Sequence, residues 1–204
     1  MFTSVAFAQH KEEWVDLQIE NIQSQFDTKG ITEYFIFQLY TQGGTYITNK
    51  VDNKCDPSPF STKYMFWKEG DKNWIKRISE CGISSDVQLT GFKPLDFVIK
   101  HISSIENECV LHYSYKPTKQ IDGKTYVYFV ARNHTPQRVF NFHILNRTST
   151  KRINTFNLTN SEDKINLHFE YNNALPMGAL SSECTGIVKM LEKKGVFETI
   201  IRID

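Results

Sequence analysis

The chain has 204 residues, 40% of them hydrophobic and 23% charged, with a formal net charge of +1, which excludes a disordered tail and a supercharged polymer binder. No uninterrupted apolar run approaches the roughly 20 residues that a membrane-spanning helix needs, and no repeat or low-complexity bias is present. At this length one good core is expected, so residues 9–204 read as a single globular α+β domain.

Residues 1–8 read as the end of a cleaved export signal. A short apolar stretch closes on Ala6-Phe7-Ala8, with small residues where signal peptidase accepts them, and the polar run His10-Lys11-Glu12-Glu13 follows. The positively charged leader is missing, so the alternative is a frayed apolar terminus on a cytoplasmic protein. The even count of four cysteines, Cys55, Cys81, Cys109 and Cys184, suits the exported reading and a periplasmic, cell-surface or extracellular location.

Residues 11–27 predict a helix, with Val15, Ile19, Ile22 and Phe26 on one face and Gly30 beyond its end. From Ile31 to Tyr40 both alternating faces are apolar, which predicts a central strand covered on both sides. Gln42-Gly43-Gly44 then predicts a turn into a strand from Tyr46 to Val51. The segment 52–62 is a loop rich in turn formers. A hairpin of Lys63–Lys68 and Trp74–Ser79 should bring Trp67 and Trp74 face to face, and Cys55 and Cys81 bracket it, making them the favoured disulfide pair.

Pro94 to Ile105 predicts a second helix, with Leu95, Val98, Ile99 and Ile102 at helical spacing. Cys109–Tyr115, Lys124–Arg132 and Arg138–Asn146 read as a three-strand meander, followed by a weaker strand over 151–159. Lys164 to Tyr171 alternates most regularly, with Ile165, Leu167, Phe169 and Tyr171 predicted inward and Lys164, Asn166, His168 and Glu170 outward. A third helix is expected from about Ser182 to Lys194, capped by Ser181 or Ser182 and stopped by Gly195, with a strand from Val196 to Ile203 closing the chain. The sum is a mostly antiparallel sheet of hairpins and a meander with about three helices packed on it.

Phosphate-cradling glycine patterns, His-Glu-x-x-His, Gly-x-Ser-x-Gly, a calcium loop and Cys-x-x-Cys are all absent from the sequence. Cys109 and His112 lie three apart on a predicted strand, so they would point to opposite faces; the sequence implies no metal and no cofactor. His168 and Glu170 would share a face in the layout of a general-base pair, and with His112 they are the candidates for a hydrolase assembled from dispersed residues. The same alternation arises on any solvated strand.

Charge is segregated along the chain. Between Lys116 and Arg152 eight basic residues face the single acid Asp122, a net +7 against −6 for the remainder. Lys124, Arg132, Arg138, Arg147, Lys151 and Arg152, interleaved with Tyr113, Tyr115, Tyr126, Tyr128, Phe140 and Phe142, form the candidate ligand surface for an anionic partner. An acidic glycan or a protein fits an exported domain; nucleic acid does not. The ordinary alternative is that these aromatics are sheet core on both faces, with the charges at strand ends. Asn133, Asn146 and Asn157 are glycosylation sequons that matter only in a eukaryotic source. The functional expectation is an exported, non-catalytic binding or envelope-associated domain, with the dispersed hydrolase as its rival.

Overall fold

The computed structural model describes residues 3–41, 58–116, 122–130, 132 and 134–201. Helix α1 (Thr3–Lys29) leads into strand β1 (Tyr34–Thr41). Strands β2 (Lys63–Glu69), β3 (Lys72–Ser79), β4 (Gly82–Ser84) and β5 (Val87–Leu89) precede helix α2 (Pro94–Asn107). Short strands β6 (Ser114–Tyr115) and β7 (Tyr128–Phe129) are followed by the long hairpin of β8 (Pro136–Ile144) and β9 (Arg147–Asn154). A 3-10 turn (Thr155–Leu158), helix α3 (Phe169–Ala174), helix α4 (Pro176–Lys193) and strand β10 (Thr199–Ile201) complete the order. The fold is α+β, with an antiparallel main sheet ordered β10-β4-β3-β2-β1-β8-β9 and β5 paired to β3.

Strand β1 occupies the middle of that sheet because it has no polar face to offer solvent. Phe35 and Phe37 point to one side and Tyr34 and Ile36 to the other, all buried. In register, Phe35 opposes Phe66 on β2 and Phe142 on β8, and Phe37 opposes Phe140. Phe35 stacks on Phe66 with ring centroids 4.7 Å apart, and Phe37 lies 4.7 Å from Phe140. This aromatic floor carries α2 and α4 through Leu95, Val98, Ile105, Met177, Leu180, Cys184 and Val188. On the other face Val15, Ile19, Ile22 and Phe26 of α1 cover Ile36, Met65, Trp67 and Ile78. Each fully buried side chain of this size contributes about 1.5–3 kcal/mol relative to exposure.

The β2–β3 hairpin forms as expected, with Trp67 opposite Trp74 and the rings stacked at 6.4 Å. Its turn shortens to Gly70-Asp71, where Gly70 takes φ +59°. The β8–β9 turn uses Leu145 and Asn146, both at positive φ, a geometry that matches the twist of the strands it joins. The predicted turn at 42–44, the strand over 46–51 and Cys55 lie outside the described residues. Cys81 is disulfide-bonded, whereas Cys109 is exposed and free and Cys184 is free and buried on α4.

Three expectations are overturned. The meander does not form: β6 and β7 pair only with each other in a separate two-stranded sheet, while β8 joins the main sheet between β1 and β9. The strand over 164–171 is a turn running into α3, and three of its four inward residues, Ile165, Leu167 and Tyr171, are exposed, Ile165 at 65%, with Phe169 half-buried. Helix α4 begins six residues before the expected start at Ser182, with Pro176 in its first turn, so Ser181 is a buried residue of the second turn and caps nothing.

A distant residue caps α4 instead. Glu108 Oε1 accepts the Met177 N–H at 2.7 Å, filling a position that the Leu175 side chain cannot. Lys151 closes the carbonyl end of α2, donating from Nζ to the carbonyl oxygens of Glu106 at 2.6 Å and Glu108 at 3.3 Å. Burial pushes the Glu108 carboxyl up, against the lowering effects of the Met177 N–H and of Lys151. A carboxyl raised on folding stabilises while protonated and loses that contribution as pH rises through its folded pKa. Glu108→Gln, which keeps the acceptor, should therefore match or exceed the parent's stability at pH 7. Urea titration should show that margin shrinking as pH falls to about 4, where the carboxyl is mostly protonated in both states.

Gly178 marks where α3 and α4 touch: a Cβ there would stand 2.7 Å from the Asn172 carbonyl oxygen. Gly186, about 12 Å further along the same helix at roughly 1.5 Å rise per residue, meets nothing within 4 Å. Gly178→Ala should lower unfolding free energy by about 1–3 kcal/mol through overpacking. Gly186→Ala should raise it by about 0.5–1 kcal/mol through helix propensity. Chemical denaturation of the matched pair checks both signs.

Candidate binding site

The small sheet stands out by its exposure. Tyr126, Val127, Tyr128 and Phe129 are each at least 37% exposed, Phe129 at 74%, so both faces of this segment meet solvent. The expectation that both faces are core fails here. The main sheet is covered by α1, α2 and α4, and among the described residues no element packs over β7 to take up its apolar residues. Tyr115 and Tyr128 are register partners with rings stacked at 5.7 Å. Leu111, Ile165, Leu167 and Tyr171 add exposed apolar surface from neighbouring segments. One edge of β6 is joined to these by the Leu167 N–H, which donates to the Ser114 carbonyl at 2.8 Å.

Three buried asparagines fix this exposed surface to the body. Asn172 treats Leu111 as a strand neighbour would: its Oδ1 accepts the Leu111 N–H and its Nδ2 donates to the Leu111 carbonyl, each at 2.9 Å. The same Nδ2 reaches the Asn157 carbonyl at 2.9 Å. Asn157 Oδ1 accepts the Tyr113 N–H at 3.1 Å. Asn166 Oδ1 accepts the N–H groups of Ser114 and His168, and its Nδ2 donates to the carbonyls of Asn157 and Thr159. Tyr113 lies beneath, stacked on Phe156 at 4.5 Å, with its hydroxyl donating to the Lys164 carbonyl. Leu111 is thus held by a side-chain amide in place of a strand neighbour, and Tyr113 and Ser114 by side-chain amides in addition to their pairing with the β7 segment. Asn157 spends its amide here and is buried, whereas the sequon residue Asn146 is exposed.

The basic stretch divides by destination. Lys124 is exposed on the approach to β7, and the Arg132 guanidinium lies 4.5 Å over the Phe156 ring. Lys164, expected on the outward face of a strand, places its ammonium 5.3 Å from the Tyr115 ring and joins the platform. Lys151 and Arg138 turn inward beneath the helices, the latter donating to Ser181 Oγ at 2.6 Å. Arg147 and Arg152 lie on β9, the terminal strand of the main sheet, with Arg152 6.0 Å over the Tyr40 ring. Of the six candidate cations only Lys124 and Arg132 neighbour the platform. Of the interleaved aromatics, Tyr113, Phe140 and Phe142 are core, and Tyr115, Tyr126 and Tyr128 belong to the platform.

His168 and Glu170 do not share a strand face, because no strand forms there. His168 is the residue preceding α3, its carbonyl accepting the Asn172 N–H at 2.8 Å, and Glu170 is exposed in that helix's first turn. His112 is exposed beside β6. None of the three lines a described cavity. A groove of about 380 Å³ between α1 and the β8–β9 hairpin holds His143 instead; its ring stacks on Tyr34 at 4.5 Å, and burial pushes its pKa down. Among the described residues no group of three or more His, Cys, Asp or Glu side chains converges where it could hold a metal ion. No described helix is long and apolar enough to cross a membrane.

An antiparallel sheet with helices on both faces, bearing a separate aromatic two-stranded platform, is the class that these observations define. No protein-family model, no curated protein and no solved structure matches this chain.

The asparagine signal was present as Asn157, Asn160, Asn166, Asn172 and Asn173, but local spacing does not say which amides become buried. Asn172→Ala leaves the Leu111 N–H and C=O without their partner and removes one of two donors to the Asn157 carbonyl, so unfolding free energy should fall by about 2–4 kcal/mol. Hydrogen exchange should accelerate at Leu111 while amides of β1 stay protected.

Proposed function

We propose that this chain is an exported, non-catalytic domain that binds an acidic glycan across the β6–β7 platform. The observation that carries this is the exposure of Tyr126, Val127, Tyr128 and Phe129 on a segment whose base is pinned by buried amides. Contiguous apolar surface of this kind is rare on a soluble protein unless something docks on it. Flat aromatic rings offer faces to sugar C–H groups, and Lys124, Arg132 and Lys164 stand beside them to meet carboxylates or sulfates. A polypeptide partner would use the same apolar surface, and the test below separates the two.

An oxidising compartment finds support in the disulfide at Cys81. Among the described residues Cys109 and Cys184 are both free. Export to the periplasm, cell surface or medium fits this chemistry. The dispersed-hydrolase reading has less support, because His112, His168 and Glu170 line none of the described cavities.

Affinity electrophoresis in heparin, alginate and neutral dextran tests the proposal. Retardation is expected in the acidic polymers and not in dextran, weakening as salt rises. Phe129→Ser with Tyr126→Ala should weaken it about tenfold while leaving the melting temperature unchanged, since both side chains are exposed. Equal retardation in dextran, or none in either acidic polymer, would overturn the glycan reading, as would a co-purifying protein released by the same substitutions. Thiol titration of denatured, unreduced protein should count two reactive groups; four would remove the bridge and with it the main support for export.

A further inference from the structure

The two ends of the main sheet differ. Strand β10 is three residues long and pairs with β4 in a shifted register, a short and irregular edge that resists further pairing. Strand β9 is eight residues long, pairs with β8 without a break in register and contains no proline. Among the described residues no backbone pairs with its outer side.

The turn before β9 settles which of its backbone groups are open. Leu145 and Asn146 form a two-residue turn, so Ile144 and Arg147 are a hydrogen-bonded pair, and bonded and non-bonded pairs alternate from there. Arg147, Ser149, Lys151 and Ile153 therefore bond inward to β8. Thr148, Thr150 and Arg152, opposite His143, Asn141 and Val139, turn their N–H and C=O groups outward.

Charge selects what can pair with them. Between Asp122 and Glu162 the sequence holds no acid, and β9 carries Arg147, Lys151 and Arg152. Lys151 is committed to the carbonyl end of α2, whereas Arg147 and Arg152 are exposed toward opposite ends of the strand. They lie on opposite faces, about 17 Å apart at roughly 3.4 Å per residue. A second copy of β9 would set three cations against three, and like charges across a ladder are destabilising. On the α1 side, Glu20 and the Asp16–Lys63 pair share a groove with Thr148 and Thr150. Acidic side chains therefore fit at the two ends of an added strand, with uncharged residues between them.

We propose that β9 is a docking edge for an extended polypeptide segment with an acid near each end. The segment adds to the sheet as a strand, pairs with Thr148, Thr150 and Arg152, and sets its acids against Arg147 and Arg152. This edge is separate from the β6–β7 platform, and either can fail without the other.

The probe is the capped peptide Glu-Thr-Val-Thr-Val-Glu carrying a neutral fluorophore; its acids are spaced as the two arginines are and serve either strand direction. Anisotropy titration with the full chain should show saturable binding about tenfold tighter than for the same peptide ending in Gln, the scale of two cross-strand ion pairs, and weakest binding for the Lys-ended peptide. Hydrogen exchange should slow at the amides of Thr148, Thr150 and Arg152, while Ser149 and Lys151, already bonded to β8, change little. The acidic peptide N-methylated at its two central residues keeps its charge but puts a methyl group into the ladder, and it should not bind. Arg147→Glu combined with Arg152→Glu should reverse the preference in favour of the Lys-ended peptide, and Phe129→Ser with Tyr126→Ala should leave it as in the parent. The proposal is overturned by an absence of saturable binding, by equal binding of the three peptides or of the N-methylated one, or by a preference that survives the double glutamate change. A dimer of this chain that protects the same three amides overturns it as well.

Discussion

Residues 111–114 lead from α2 into the small sheet with no described strand beside Leu111 and His112, and backbone groups there must still be paired. Asn157, Asn166 and Asn172 supply the missing ladder, each with its amide turned to main-chain atoms. An amide side chain can do this because it carries the same donor and acceptor as a peptide group. The consequence reaches outward: β6 emerges from this clamp, β7 pairs with β6, and the aromatic platform stands on both. It reaches inward as well, since the carbonyl of Asn172 lies so near α4 that only glycine fits at 178.

The same economy governs the charges. A stretch with eight cations and one acid invites the image of a single basic face, yet the fold disperses it. Lys151 neutralises the carbonyl end of α2, Arg138 lies under α4, and Arg147 and Arg152 occupy the terminal strand of the main sheet, where charge discourages edge-to-edge pairing. What remains beside the aromatic platform is a smaller set, joined by Lys164 from a different part of the chain. Net charge along a sequence therefore overstates the field at any one surface, because alternate residues of a strand face opposite ways.

The central strand, the tryptophan hairpin and α2 were legible because each is written in local periodicity: two apolar faces at 34–37, Trp67 and Trp74 across a short turn, and Leu95, Val98 and Ile105 along one helical stripe. The stretch 164–171 was misleading for a related reason. Its alternation is as regular as that of a strand, but Asn166 binds the main chain of Ser114 and His168 more usefully than it could face water, and the local turn wins. With the strand went the paired placement of His168 and Glu170.

By itself the sequence determined the elements whose neighbours are close in the chain: the helix of 11–27, the hairpin of 63–79, the helix from Pro94 and the stop at Gly195. Tertiary structure alone decided that β8 leaves β6 and β7 to join β1, that Tyr126 to Phe129 stay in solvent, and that Glu108 caps a helix beginning 68 residues later at Pro176. Pattern records how a residue relates to the next few positions. Which surface covers which, and which buried polar group finds a partner, depends on contacts between residues tens of positions apart, and those energies exist only once the chain has closed on itself.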